Sequence, residues 1–287
     1  MNPNDYNTQR RPTWCPGCGD FGIWAGVKGA LAKQGLSPHE FVVVYGVGCS
    51  GNMTDFIKSY GFHSLHGRAV PNAEGIKLAN HELPVIVVGG DGDLLGEGSG
   101  HLAHAARGNH DLTVIIHDNR VYGLTTGQAA PTASKGYKSK STPKGIIEVG
   151  MNPLTLAMSQ GATYVARGFA GDIPHLTQLI DAGMTHKGFS VIDVLQPCVT
   201  FNKINTYQYY RERVYKLEDK DHDSKDRYAA YKLAELAEDE GIPIGLFYQN
   251  TDRPAYHEQV ASLKNGPLVK QEVKIPGNFD ELLNYFK

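Results

Sequence analysis

The chain has 287 residues, of which 41% are hydrophobic and 20% are charged, and 28 basic and 30 acidic residues give a net charge of −2. This balance lacks the basic surface of a nucleic-acid-binding protein, and the apolar runs fall well short of the ~20 residues of a membrane span. The first ten residues, MNPNDYNTQR, lack the apolar core of a signal peptide. We therefore expect a cytoplasmic protein that binds neither nucleic acid nor membrane, with reduced cysteines.

Helix and strand patterns alternate along most of the chain. In chain order, the sequence predicts an extended arm over 1–13, a helix over 20–34, a strand over 41–48, a helix over 73–81, a strand over 83–93 that runs into a glycine-rich turn, a helix over 97–107, a strand over 112–119, a helix over 154–161, a strand over 164–168, a helix over 172–187 and a strand over 189–198. This alternation predicts an α/β fold, with a mostly parallel sheet and helices on both faces. Ligands of such sheets bind at the carboxyl ends of the strands.

The character of the sequence changes after about residue 200. Residues 211–240 are densely charged, with a helix predicted over 226–238, and the apolar run over 242–248 must be buried against something. We therefore divide the chain into an α/β domain over 1–205 and a helical C-terminal extension over 206–287. The extension is expected to pack on the domain or on a partner subunit.

The four cysteines occur beside predicted strand ends or in a tight turn. Cys15 and Cys18 share the turn CPGCG, Cys49 directly follows the strand over 41–48, and Cys198 ends a later strand. Four interpretations compete: unrelated free thiols, a CxxC redox pair, a zinc site, and an iron–sulfur cluster. The redox pair lacks a preceding strand, and a Cys₄ zinc site usually has two CxxC knuckles. A cluster tolerates wide spacing between its thiolates, which favours it.

A second constellation follows two neighbouring predicted strands. The run Gly-Asp-Gly-Asp over 90–93 ends one strand, and Asn119 ends the next. In one βαβ unit, Asp91 and Asn119 then lie at the same sheet edge, where carboxylate and amide oxygens can hold Mg²⁺. The glycines let backbone N–H groups approach a diphosphate, which a helix N-terminus near 96–97 would also favour. This pattern is typical of thiamin diphosphate enzymes.

Six segments carry a resemblance to a known family, and they occur in the family's order. They are WCPGCGDFG at 14–22, YGVGCSGN at 45–52, HSLHGRAVPNAEGIKLAN at 63–80, GGDGDLLGEG at 89–98, DNRVYGLTTGQ at 118–128 and QPCVTFN at 196–202. With these segments the chain resembles the β subunits of 2-oxoacid:ferredoxin oxidoreductases, and is most similar to the 2-oxoglutarate type.

The resemblance implies three bound groups: thiamin diphosphate, Mg²⁺ and one [4Fe–4S] cluster. The implied cluster ligands are Cys15, Cys18, Cys49 and Cys198. The implied Mg²⁺ ligands are Asp91, Asn119 and the main-chain oxygen of Val121. The residues that match segments around the diphosphate are Gly92, Asp93, Gly123, Leu124 and Thr125. The residues that match other segments near the cofactor are Ser50, His66, Gly67 and Arg68.

The implied function is the coenzyme A-dependent oxidative decarboxylation of 2-oxoglutarate to succinyl-CoA with reduction of ferredoxin, in either direction. Pyruvate or a broad range of 2-oxoacids is the alternative substrate, and an iron–sulfur electron-transfer module without catalysis is the alternative of another class. No residue of this chain matches the acid that activates thiamin diphosphate. The resemblance places that acid on the partner α subunit, or on a fused γα subunit, and implies a dimer of αβ pairs.

One position departs from the family pattern. Glu74 stands where a smaller uncharged residue is expected. A surface position and a salt bridge with Lys77, three residues further on the same predicted helix, are the two explanations that the sequence offers.

Overall fold

An eight-stranded sheet organises the computed structural model, which describes residues 1–272 and 279–286. The strands are β1 (Val42–Tyr45), β2 (Tyr60–His63), β3 (Val85–Gly90), β4 (Leu112–Asp118), β5 (Val121–Tyr122), β6 (Gln128–Ala129), β7 (Tyr164–Phe169), β8 (Phe189–Leu195), β9 (Val214–Lys216) and β10 (Ile242–Gln249). The large sheet has the order β2-β1-β3-β4-β8-β7-β10-β9, and β5 pairs with β6 in a separate hairpin.

Helices cover both faces of this sheet. They are α1 (Asp20–Gln34), α2 (Ala69–Ala79), α3 (Ser99–Gly108), α4 (Pro153–Ser159), α5 (Ile173–Thr185), α6 (Tyr207–Arg211), α7 (Arg227–Ala234), α8 (Tyr256–Gln259) and α9 (Phe279–Tyr285). Strands β2, β1, β3, β4, β8 and β7 are mutually parallel, and β10 joins β7 in the antiparallel direction. The predicted fold class, a mostly parallel sheet between helices, is confirmed.

The core lies in two layers because side chains of a strand alternate between the two faces of the sheet. In β1, Val42 and Val44 belong to the layer beneath α2, α3, α4 and α7. Val43 and Tyr45 belong to the layer beneath α1 and α5. All four residues are buried, as expected for a central parallel strand that is covered on both faces.

Two predictions for the first third of the chain were wrong in detail. The arm over 1–13 is not wholly extended: Pro3–Tyr6 form a 3₁₀ turn, which Asn2 caps through a hydrogen bond from the Asn4 amide. Helix α2 starts at Ala69, not at residue 73. Pro71 lies in its first turn, where a helix tolerates the missing N–H donor.

The explanation of Glu74 as an exposed residue or a partner of Lys77 was also wrong. The Lys77 ammonium lies 2.8 Å from Asp111 and donates to the Leu83 carbonyl. Glu74 is half-buried, and its Oε1 lies 3.3 Å from His110 Nε2. Burial raises the pKa of Glu74 to about 7.

The C-terminal part contributes strands as well as helices. Strand β10 extends the sheet beyond β7, and β9 pairs with β10 at the outer edge. The helix predicted over 226–238 ends at Ala234, and Glu238 turns back to pair with Arg120. The boundary between residues 205 and 206 stays a prediction.

Across residues 1–272 and 279–286, none of the helices combines the length and apolar character needed to cross a bilayer.

Candidate functional site

Two adjoining clefts open at the carboxyl ends of the central strands. The first, of about 470 Å³, is called here the polar cleft. It brings together ten of the residues predicted for thiamin diphosphate and Mg²⁺: Ser50, His66, Asp91, Gly92, Asp93, Asn119, Val121, Gly123, Leu124 and Thr125. The structure therefore gathers segments that are far apart in sequence at one sheet edge, as the strand-end argument expects.

Asp91 lies at the base of the polar cleft, at the end of β3. Its carboxylate accepts hydrogen bonds from the amides of Gly92 and Arg120, at 2.9 and 2.7 Å. The Thr132 hydroxyl lies 2.5 Å from Asp91 and 2.7 Å from Asp118. Burial and the neighbouring Asp118 raise the pKa of Asp91 well above its usual range. A divalent cation would bind this carboxylate in its deprotonated form.

Asn119 is fixed beside Asp91 by the strand end and by its own hydrogen bonds. Its Oδ1 accepts from the Val121 amide at 3.0 Å, and its carbonyl accepts from Asn202 at 3.0 Å. The intervening Arg120 has a φ of 65°, which is unusual for a residue with a side chain. Its guanidinium is anchored on Glu238. This tight turn brings the Asn119 side chain and the Val121 backbone to the same side of the cleft.

The glycine-rich turn is itself helical. Gly92–Glu97 form a short π-helical turn that Asp91 caps, so the helix N-terminus nearest the cleft begins at Gly92 and not near residues 96–97 as predicted. Gly92 cannot carry a side chain, because a Cβ there would lie 2.3 Å from the Tyr122 ring. The Asp93 carboxylate accepts from the Gly67 amide at 2.7 Å. The Asp93 carboxylate packs directly against Gly46, because a Cβ at position 46 would lie only 1.8 Å from Asp93 Oδ2.

Four buried polar atoms of the polar cleft have no hydrogen-bond partner. They are Ser50 Oγ, His66 Nδ1, Asp93 Oδ2 and His117 Nε2. His66 Nδ1 lies 3.3 Å from Asp93 Oδ1, but without the geometry of a hydrogen bond. Buried polar atoms are normally paired, and an unpaired one costs roughly 1–3 kcal/mol. Of the eleven such atoms among the described residues, these four lie on residues of one cleft, where a polar ligand would satisfy them together.

Gly67 and Arg68 take a different place from the other predicted residues. They do not line the polar cleft: Gly67 supports Asp93, as described above. The Arg68 guanidinium donates to the carbonyls of Gly67 and Glu97, both at 3.1 Å. Contact of these two residues with a bound cofactor stays a prediction.

The second cleft, of about 650 Å³, contains all four cysteines and is called here the cysteine cleft. It shares Cys49, Asn119, Gly123 and Leu124 with the polar cleft, so the two sites have a common wall. Gly123 lies in this wall, where a Cβ would be 3.3 Å from Cys49 Sγ and 3.9 Å from Cys198 Sγ.

Close backbone contacts bring the cysteine segments together. The Gly19 amide donates to the Pro197 carbonyl at 3.1 Å, which joins the turn of Cys18 to that of Cys198. Trp14 Nε1 donates to the Cys49 carbonyl at 2.7 Å. Each bond joins segments that are distant in sequence, so the arrangement depends on the complete fold.

The thiols are held in a setting that disfavours free thiolates. Burial and the nearby Asp20 raise the pKa of Cys18, and the same causes raise the pKa of Cys49 to about 12. Within the described residues, no three His, Cys, Asp or Glu side chains converge closely enough to hold a single metal ion. A polynuclear cluster is wider than one ion, so its four ligands surround a volume rather than a point.

Three buried residues of the two clefts were missed by the sequence argument. His117 lies inside β4, where a histidine in an otherwise apolar run was the available signal. Asp20 begins α1 and resembles an ordinary N-terminal acid. Gln196 follows β8 and contacts Cys18 across 178 positions of sequence, a contact that no local pattern could indicate.

Two family models match the chain. Residues 41–194 match the C-terminal TPP-binding domain of thiamine pyrophosphate enzymes. Residues 198–265 match the C-terminal part of the pyruvate ferredoxin oxidoreductase beta subunit.

Curated relatives and a solved structure agree with these models. A 2-oxoacid:ferredoxin oxidoreductase subunit beta of Saccharolobus solfataricus is 49% identical, over 86% of this chain and 85% of the relative. The 2-oxoglutarate oxidoreductase subunit KorB of Mycobacterium tuberculosis is 41% identical, over 69% of this chain and 53% of the relative. A 2-oxoglutarate:ferredoxin oxidoreductase structure from Magnetococcus marinus, with 2-oxoglutarate, coenzyme A and succinyl-CoA bound, has a TM-score of 0.91 at 39% identity and covers 100% of this chain and 96% of that chain.

Proposed function

Because the chain belongs to the 2-oxoacid:ferredoxin oxidoreductase β subunits, we propose that it carries the thiamin diphosphate and iron–sulfur centres of a 2-oxoglutarate-oxidising enzyme. The reaction forms succinyl-CoA and CO₂ and passes two electrons to ferredoxin. The observation that carries this proposal is the shared wall of the two clefts, with Cys49, Asn119 and Gly123 facing both. An oxidative decarboxylation needs its electron donor and its electron acceptor side by side.

The polar cleft fits Mg²⁺ and thiamin diphosphate. Asp91, Asn119 and the Val121 carbonyl offer the oxygen ligands that Mg²⁺ prefers. The amides that follow Asp91, with the unpaired hydroxyl of Ser50, suit the diphosphate. When bound, thiamin diphosphate supplies the electron sink that cleavage of a 2-oxoacid requires. Gly123, Leu124 and Thr125 line the cleft on the side of the β5–β6 hairpin.

The cysteine cleft fits a [4Fe–4S] cluster with Cys15, Cys18, Cys49 and Cys198 as ligands. All four line one cleft and none forms a disulfide. Buried thiols with raised pKa values lose their protons when iron binds, so assembly of the cluster releases protons.

The site requires a second subunit. In the described part of the chain, neither a lysine nor an arginine lines the polar cleft, although the substrate and the diphosphate are both anionic. Exposed apolar side chains, namely Tyr60, Phe62 and Leu65, lie on and just after the edge strand β2, and Leu124 is exposed at the cleft itself. Apolar surface of this kind marks an interface. We propose that an α or fused γα subunit covers it, supplies the activating acid and the basic groups, and forms a dimer of αβ pairs.

Substrate choice is tested with the complete complex, purified anaerobically. Ferredoxin reduction is measured with 2-oxoglutarate and with pyruvate, each with and without coenzyme A. We expect coenzyme A-dependent reduction with a kcat/KM at least about tenfold higher for 2-oxoglutarate. A preference for pyruvate, which one of the matching family models names, would overturn the substrate assignment but not the reaction class.

The need for a partner is tested with the isolated chain. We expect bound iron, sulfide and thiamin diphosphate but no 2-oxoacid-dependent dye reduction. Full activity of the isolated chain would refute the shared active site. Iron without any retention of thiamin diphosphate would favour the electron-transfer module instead.

A further inference from the structure

Two buried side chains connect the cysteine cleft to the polar cleft through Cys18. Asp20 is 0% exposed and Gln196 is 1% exposed. Each contacts the Cys18 sulfur on one side and a residue of the polar cleft on the other. Neither belongs to the ligands described above, and neither has a role that is predicted from the sequence.

The first connection runs through Asp20. Its Oδ2 lies 3.2 Å from Cys18 Sγ, and its Oδ1 lies 2.7 Å from His117 Nδ1. The contact at Nδ1 sets which way the imidazole ring points. The other ring nitrogen, Nε2, lines the polar cleft without a partner. Asp20 therefore fixes the orientation of the histidine that faces the cofactor position.

The second connection runs through Gln196. Its amide nitrogen donates to Cys18 Sγ at 3.3 Å, and its Oε1 accepts from Asn119 Nδ2 at 3.1 Å. An amide that donates to sulfur at one end must accept at the other. This forces the Asn119 nitrogen toward Gln196 and leaves the Asn119 oxygen for the Val121 amide and the proposed Mg²⁺ position.

Building on the proposed function, we propose that Asp20 and Gln196 are positioning residues that tune the cluster in opposite directions while aligning the polar cleft. An N–H donor at a cluster sulfur stabilises the more negative, reduced state and raises its reduction potential. A carboxylate beside the same sulfur disfavours added negative charge and lowers the potential. Gln196 therefore raises the potential, and Asp20 lowers it.

The proposal predicts that variants of the two residues shift the cluster potential in opposite directions, and the experiment tests these directions. In the anaerobic complex, the cluster potential is measured by redox titration followed by electron paramagnetic resonance. We expect Asp20→Asn to shift the potential to a more positive value and Gln196→Met to shift it to a more negative value. Shifts of the same sign, or no shift in either variant, would overturn the proposal.

Two further variants distinguish a specific effect on the cluster potential from a general effect of misfolding. Gln196→Glu keeps the size of the side chain but adds charge, so we expect a larger negative shift than in Gln196→Met. Asp193→Asn is the matched control, because Asp193 is equally buried but pairs with Arg167 at 3.0 Å. The potential of this control should stay close to the wild-type value. A shift as large as that of Asp20→Asn would refute a specific role for Asp20.

A second measurement separates the two residues. Gln196→Met frees Asn119, so we expect Mg²⁺-dependent thiamin diphosphate binding to weaken by about tenfold. Asp20→Asn keeps an acceptor for His117, and binding should stay within about twofold of wild type. Equal effects of both variants would contradict the separate connections. Absence of iron or thiamin diphosphate from the wild-type complex would refute the proposed function itself.

Discussion

Asn109 and the polar cleft lie at opposite ends of the central strands, and their buried polar groups differ in pairing. At the amino ends, Asn109 is fully buried, and every polar atom of its side chain has a partner. Its Oδ1 accepts from Thr163 at 2.7 Å and from the Phe189 amide at 2.9 Å, and its Nδ2 donates to the carbonyls of Arg253 and Pro254. At the carboxyl ends, by contrast, four buried polar atoms face the polar cleft without partners.

The difference separates stabilising polar groups from binding groups. Satisfied groups such as Asn109 contribute to folding, and removing one leaves its partners unpaired. Unsatisfied groups such as Ser50 destabilise the chain without its ligand. Variants at the amino ends should therefore change stability, whereas variants in the polar cleft should change binding.

Removal of the Asp91 carboxylate should have the largest effect on binding. In Asp91→Ala we expect Mg²⁺-dependent thiamin diphosphate binding, measured by calorimetry, to weaken by at least about 100-fold, because the proposed Mg²⁺ ligand is lost. The iron content should be unchanged. The control is Asp111→Ala, which removes a carboxylate at the amino end of β4 and the ion pair with Lys77. Near wild-type binding in Asp91→Ala would contradict the assignment.

Truncation of Asn109 should have the largest effect on stability. Asn109→Ala removes the partner of the Phe189 amide and of the Arg253 carbonyl and places alanine at a φ of 56°. The Thr163 hydroxyl and the Pro254 carbonyl keep His186 and Gln259 as partners. We expect the free energy of unfolding, from urea denaturation, to fall by about 3–4 kcal/mol, with thiamin diphosphate affinity of the folded fraction unchanged. Asn80→Ala, at a surface helix end, should cost less than about 1 kcal/mol. A similar loss in both variants would argue against a special role of Asn109.

Glu74 should make stability depend on pH in a defined window. Its pKa is raised by burial from 4.5 to about 7, so the folded state keeps a proton that the unfolded state loses. Stability therefore falls as pH rises from about 4.5 to 7. We expect Glu74→Gln to remove this fall and to be more stable than wild type by about 1–3 kcal/mol at pH 8. The control Glu82→Gln, at an exposed position, keeps Glu74 and should therefore keep the same fall as wild type. Parallel profiles for wild type and Glu74→Gln would contradict the account.

Two serines, one without and one with a hydrogen-bond partner, test the difference between binding groups and stabilising groups with the smallest expected effects. Ser50 Oγ is buried without a partner, whereas Ser64 Oγ donates to the Tyr45 carbonyl at 2.9 Å. Ser50→Ala should weaken thiamin diphosphate binding by about 5–10-fold, and it should not lower the unfolding free energy of the cofactor-free chain, because it removes a buried hydroxyl that has no partner. Ser64→Ala should lose about 1 kcal/mol of stability and keep its affinity. The reverse pattern would break the distinction between the two kinds of group.

Much of the site follows from the sequence because parallel strands end at a common edge. That rule placed Asp91 near Asn119, and it brought Cys49 and Cys198 to the same end of the sheet. The roles of Asp20 and Gln196 could not be predicted, since each depends on contacts with segments distant in sequence. Strand β9 could not be predicted, because three residues at a sheet edge are too few to show an alternation of apolar and polar residues.

The central claim is that one chain holds both redox partners at a shared wall. Analysis of iron, acid-labile sulfide and thiamin diphosphate in the anaerobically purified complex tests it directly. We expect about four iron, about four sulfide and about one thiamin diphosphate per β chain, with iron lost and thiamin diphosphate kept in Cys198→Ser. One zinc in place of iron, or iron without thiamin diphosphate, would contradict the account.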